Sequence, residues 1–416
     1  MNRFFISFSL ILIPLGLSAT PLTWDKCVEI LRKNNEELHS QIASLQASQY
    51  SEGVAQSGFL PQISAGLSYA HTETQAPTES KAEGYGANLN ISQNLFSGMS
   101  DFYSRRSAAA GTLATLKDLE YLKARLSKDL KVSFQNYRFA QDSIELKNSI
   151  VQRRQENLRL VELRFQGGRE NKGSVLLSKA TLSEAKLEVL QARLQLRAAQ
   201  AALAKLLGIE DYEGLHVVGD VPTSEPPKAD IKLLPLASLT PAFQKAQAIE
   251  ASAEANFKIK QSSFFPKLNL NAGLNRGDDD FFPERDKNWS LGLTLTIPLF
   301  QGGSDYYQTK AQGQILLGAI KQRVQAQRSG LVNLETTLGD LIQQDERVRV
   351  NKEFVEAVSV QSEIGRMRYN NGLITFENWY TIENDLIARQ KNLLESKRDR
   401  VQREAAWEEA QGKGVL

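Results

Sequence analysis

The sequence has a single cysteine, Cys27, so an internal disulfide and a thiolate metal cluster are both excluded. Cys27 reads as a small apolar residue on the first helix. The three histidines, His39, His71 and His216, are scattered and lack ligand spacing. There is little excess charge of either sign: 50 basic residues stand against 48 acidic ones, and nucleic acid is not an expected partner. No nucleophile–base pair, phosphate loop or paired carboxylate is present, so the residues support neither an enzyme nor a cofactor site. After the N-terminal segment no apolar run reaches the 18 or so residues of a transmembrane helix. That absence leaves a membrane β-strand open, because such a strand spans by alternation and has a weak hydropathy signal. Proline is missing from 99–221 and from 299–416. Both intervals are rich in Leu, Ala, Gln, Glu, Lys and Arg, the residues that favour long uninterrupted helix.

The first 19 residues join a basic start (Arg3), an apolar stretch over 4–17 and a small-residue site ending at Ala19, as in a cleaved secretory signal. Thr20 follows, where a lipoprotein would need cysteine, so the mature chain is expected to carry no acyl anchor. Helix is expected over 23–58, stopped by Phe59-Leu60-Pro61. Ile63, Ala65, Leu67 and Tyr69 then alternate with small or polar residues, as do Tyr85, Ala87, Leu89 and Ile91. A polar loop is expected between them over 71–84. Long helices follow, from about 100 to 166 and from about 173 to 207, with the linker 209–241 irregular and Pro-rich.

The series then repeats. Helix 242–263 leads to Phe264-Phe265-Pro266 and to a strand built on Leu268, Leu270, Ala272 and Leu274. A loop over 276–288 precedes the clearest strand, in which Trp289, Leu291, Leu293, Leu295 and Ile297 alternate with Ser290, Gly292, Thr294 and Thr296. Leu299-Phe300-Gln301-Gly302 lies 204 residues after Leu95-Phe96-Ser97-Gly98, and Arg368-Tyr369-Asn370-Asn371-Gly372 lies 204 after Arg164-Phe165-Gln166-Gly167-Gly168. The chain is therefore duplicated. The organisation read from this is a signal at 1–19, a first repeat at 20–208, a linker at 209–241, a second repeat at 242–412 and a tail at 413–416.

Each half offers two strands, and four strands cannot close a barrel. An open edge cannot sit in lipid, so spanning strands require several chains to share one barrel. Helices of roughly 100 Å cannot lie within a bilayer of about 30 Å and must extend into water. The fold class is thus mixed: a long antiparallel α-helical barrel continuous with a shared transmembrane β-barrel.

The strand starts at Phe59-Leu60-Pro61 and Phe265-Pro266 carry a specific resemblance, together with the strand ends at 95–98 and 298–302 and the two Arg-aromatic-x-x-Gly turns. In these pieces, ordered and repeated over about residues 20–412, the chain resembles the outer membrane efflux protein family of TolC-like outer membrane factors. The resemblance implies a homotrimer with a twelve-stranded barrel and a twelve-helix periplasmic tunnel in the outer membrane. It also implies a periplasmic adaptor and an inner-membrane pump as partners, with tripartite efflux or type I secretion as the work. Arg164, Phe165, Gly168, Arg368, Tyr369 and Gly372 would form the periplasmic tip and adaptor-docking site. Family members carry acidic rings at the constriction. Here Asn378 and Thr381 occupy the ring positions, with Glu377 beside them, which implies a neutral or weakly acidic constriction. The family's inter-helix lock keeps its tyrosine as Tyr369, but Ile374 stands for the lock arginine, and Ser174 and Gly173 stand for its partners. A charged lock is therefore not expected. The rival reading is a periplasmic structural coiled-coil protein without pore activity, whose hairpins would expose apolar patches to water.

Overall fold

A computed structural model describes residues 22–74, 80–210, 212–227, 230–281 and 286–416. The secretory signal and Thr20 lie outside the described residues. Two 67-residue helices dominate, α3 (Ser100–Gln166) and α7 (Ser304–Asn370), each about 100 Å long. They begin 204 residues apart and are followed by α4 (Lys172–Leu207) and α8 (Phe376–Ala410). Before them stand α1 (Trp24–Asn34) and α2 (Glu36–Gln56) in the first half, and α5 (Leu233–Ala237) and α6 (Pro241–Gln261) in the second. Long helices turn back on their partners as antiparallel pairs, α3 with α4 and α7 with α8, and α3 also packs on α8.

The expected single helix over 23–58 is two helices. Asn35 leaves the helical region, and its side chain accepts the amide of Leu38 at 2.9 Å, capping α2. Among its described residues the linker is irregular except for α5, and one bridge pairs Leu22 with Val217. Around that bridge lies the largest core: Trp24, Cys27, Leu31, Phe134, Tyr137 and Leu207 are buried together. Burial pushes the Cys27 thiol up to about 12, so it stays protonated and unreactive.

The strands form one antiparallel sheet in the order β1 (Gln62–Thr74), β2 (Ser80–Phe96), β3 (Lys267–Asp278) and β4 (Asp286–Thr296). They are longer than expected: the supposed loops 71–84 and 276–288 are in good part strand. Above a bilayer both faces of a strand meet water, so the alternation that reveals the lipid-facing part disappears. The register puts every alternating apolar residue on one face. Ala65 pairs with Leu89, Leu89 with Leu274 and Leu274 with Trp289; Ile63, Ile91, Ala272 and Leu291 form the neighbouring rung. That face is bare in the single chain, with Trp289 76 % and Leu293 63 % exposed. No helix among the described residues is long and apolar enough to cross a membrane.

Candidate functional site

The end of the helical hairpins far from the sheet is built twice. Gly168 and Gly372 have φ of 67° and 74°, a conformation only glycine takes without strain. Past each, the chain closes the same bond, from the Arg169 amide to the Arg164 carbonyl (2.8 Å) and from the Leu373 amide to the Arg368 carbonyl (2.9 Å). The next helices are capped by side chains: Asn171 accepts from the Ser174 amide and Thr375 from the Asn378 amide.

The two turns share a backbone but not a function for their side chains. Arg164 reaches across to the second turn and donates to the carbonyls of Tyr369 (2.6 Å) and Asn370 (3.2 Å). These are the last carbonyls of α7, beyond the regular helical ladder, and that of Tyr369 also accepts the Gly372 amide at 3.0 Å. Its guanidinium also lies 4.5 Å over the Tyr369 ring. Tyr369 is fully buried, stacked on Trp379 at 4.4 Å with Phe376 edge-on. By contrast Phe165 and Arg368, the residues at the matching positions, are exposed. Of the six tip residues, Phe165 and Arg368 are open to a partner, whereas Arg164 and Tyr369 join the two hairpins of one chain. Leu163, Met367 and Leu373 add exposed apolar surface to the tip.

A charged link is present, against expectation. The Tyr369 hydroxyl donates to Glu170 at 2.8 Å. The acid comes from the turn itself, four residues before Ser174, and the Ser174 hydroxyl donates to the same carboxylate at 3.0 Å. Burial works against the Glu170 charge. Hydrogen bonds from Tyr369, the Asn171 amide and Ser174, with the Arg164 charge, outweigh it and hold the carboxyl below its usual range. Burial, then the bond to Glu170 and its negative charge, push the Tyr369 phenol up.

One to two turns further along α8, Glu383 is 1 % exposed. It accepts from Arg153 (3.1 Å) and Asn157 (3.0 Å) on α3 and from Ser362 on α7. Arg154 donates to Asn384 beside it and lies 5.9 Å from the Tyr380 ring. Sequence reasoning missed this network. Its one signal was Arg153 and Asn157 at i and i+4, on one helix face. Glu377, Asn378 and Thr381 form a separate exposed stripe on α8, in which the Thr381 hydroxyl donates to the Glu377 carbonyl. All three stay exposed among the described residues of the single chain. No His/Cys/Asp/Glu group among the described residues can hold a metal ion.

The comparisons with known proteins agree with this architecture. The chain matches the outer membrane efflux protein family over residues 28–209 and 236–413. It is 24% identical to the pyoverdine export outer membrane protein OpmQ of Pseudomonas aeruginosa, covering 92% of this chain and 83% of that one. The alkaline protease secretion protein AprF of the same species is 23% identical over 67% of this chain and 61% of its own. The outer membrane protein VceC of Vibrio cholerae has the same fold, with a TM-score of 0.84 at 18% identity, over 94% of this chain and 96% of that one.

Proposed function

The chain belongs to the outer membrane efflux protein family, whose members are channels of the outer membrane extending into the periplasm, and from that premise we propose that three copies form the exit duct of a tripartite export system. The observation that carries this is the open sheet. One face carries the apolar residues of all four strands, and β1 and β4 have free edges at its two sides. Neither feature is tolerable in a lone chain in lipid or in water, and both are removed by joining β4 of one copy to β1 of the next. Three copies give twelve strands with the helices continuing as one tunnel below.

Transport through such a duct needs no chemistry. It needs a polar passage and a closure that yields to a partner. The Arg164–Tyr369–Glu170 link and the Glu383 network hold the α3–α4 and α7–α8 hairpins together at the tip. An adaptor gripping Phe165, Arg368 and the apolar residues beside them would have to loosen that link to widen the opening. Asn378 and Thr381, with Glu377, then face the passage. An inner-membrane pump energises export and selects the cargo; relatives named for pyoverdine export and for alkaline protease secretion leave both kinds of cargo open. To test the assembly, Ile63→Cys and Leu295→Cys are combined and treated with a bifunctional maleimide; buried Cys27 contributes no background. Covalent dimers and a closed trimer are expected, and monomers alone would overturn the shared barrel.

A further inference from the structure

On the apolar face one rung departs from the pattern. Leu67 pairs with Ala87, Ala87 with Arg276 and Arg276 with Lys287. This rung lies one step beyond Leu274 and Trp289, toward the end of the sheet opposite the helices. Both cations are exposed, and no carboxylate among the described residues pairs with either. Like charges directly opposite on neighbouring strands repel, so the pair is unfavourable unless an anion sits against it. Beside Arg276 lies a groove of about 480 Å³ lined by Ala65, Leu67, Ala87, Leu89 and Leu274, with Gly66 and Asn88 at the alternate positions between them. Ala65 and Ala87, on two adjacent strands, leave an apolar recess among the leucines.

We propose that this groove binds one acyl chain of an outer-leaflet lipid, whose phosphate is held by Arg276 and Lys287. The inference rests on the reading that the sheet is part of a barrel facing lipid. The helices leave the other end of the sheet, so this end faces the outer leaflet. A guanidinium matches a phosphate in a bidentate manner, and the lysine adds a second charge. Trp289 lies on the same rung as Leu89 and Leu274, an amphipathic ring level with the groove near the interface.

The test uses the assembled protein in zwitterionic nanodiscs titrated with diphosphoryl lipid A, and reads retained lipid by native mass spectrometry. The wild type should retain up to one lipid A per chain. Arg276→Gln should lower retention roughly tenfold, the loss of one charge-assisted bond. Ala87→Phe, which fills the groove and keeps the charge, should do the same, and Arg276→Lys should keep most of the binding. The last two variants decide the matter if Arg276→Gln does not assemble. Equal retention by Arg276→Gln and wild type overturns the site, as does equal retention of dephosphorylated lipid A by the wild type. Displacement by dioleoylphosphatidylglycerol at equal concentration overturns the outer-leaflet source. Channel conductance is recorded on the same samples: conducting protein without lipid selectivity sinks this site alone, whereas wild type that neither conducts nor enters nanodiscs sinks the barrel reading beneath it.

Discussion

Arg164, near the end of one long helix, donates to the backbone oxygen of Tyr369, near the end of the other, at 2.6 Å, with its guanidinium 4.5 Å above the Tyr369 ring. Arg164 reaches across while Arg368, its equivalent in the second repeat, stays exposed, and Tyr369 is buried where its equivalent Phe165 is exposed, so the duplicated turns become a single tie.

Tyr369→Phe keeps the stack on Trp379 and removes the hydroxyl that Glu170 accepts. The tie should weaken by about 1.5–3 kcal/mol, the usual net value of a hydrogen bond to a charged group. Single-channel recordings should show a higher open fraction. An unchanged open fraction would remove the link from the gate.

The Glu170 carboxyl is held below its ordinary range, so the folded tip favours its charged form. Stability from this source is present above the ordinary carboxylate value of about 4.3 and is lost as pH falls through the lowered one. Acidification below about pH 4 should therefore raise the open fraction, and Glu170→Gln should flatten the response. A pH response that survives in Glu170→Gln would assign it to another group.

Glu383→Ala leaves Arg153 and Asn157 without their shared acceptor. Breaking a buried pair from one side costs about 3–5 kcal/mol, and less here because Arg153 is partly exposed. Denaturant titration followed by tryptophan fluorescence should show the loss, with Glu383→Gln milder. A midpoint unmoved by Glu383→Ala would mean that the network adds nothing to stability.

Asn378→Asp adds a negative charge to the exposed stripe on α8 and should raise cation over anion permeability. Unchanged reversal potentials in a salt gradient would take Asn378 off the passage.

Met99 caps α3 with φ of 73°, where the second repeat has Gly303 with φ of 83°. A side chain in that region costs about 1–2 kcal/mol, partly offset by the extra unfolded freedom of glycine. Met99→Gly should stabilise the chain by roughly 0.5–1 kcal/mol, read as a raised denaturation midpoint. A lower midpoint would show that the Met99 side chain contributes more than the strain costs.

The long helices were legible almost to the residue, because proline-free stretches end at Gly-containing turns and α3 runs Ser100–Gln166 as the pattern implied. The lipid-facing parts of the strands were equally clear, since Trp289 to Ile297 alternate without a fault. Their outer ends were not, for His71 to Glu73 are exposed on both faces and carry no period. The break at Asn35 was hidden by helical spacing that continues on either side. At the tip, the family pattern directed attention to Ser174, while the acid came from Glu170 in the turn. Glu383 was missed because a lone acid in a charged helix reads as solvated until α3 and α7 are packed over it.

The most direct measurement is single-channel conductance of purified wild type and Tyr369→Phe in a planar lipid bilayer. Discrete steps from both are predicted, with the variant open for a larger fraction of the time. No steps from either protein, together with failure of both to partition into detergent, would contradict a channel and return the chain to a structural coiled coil.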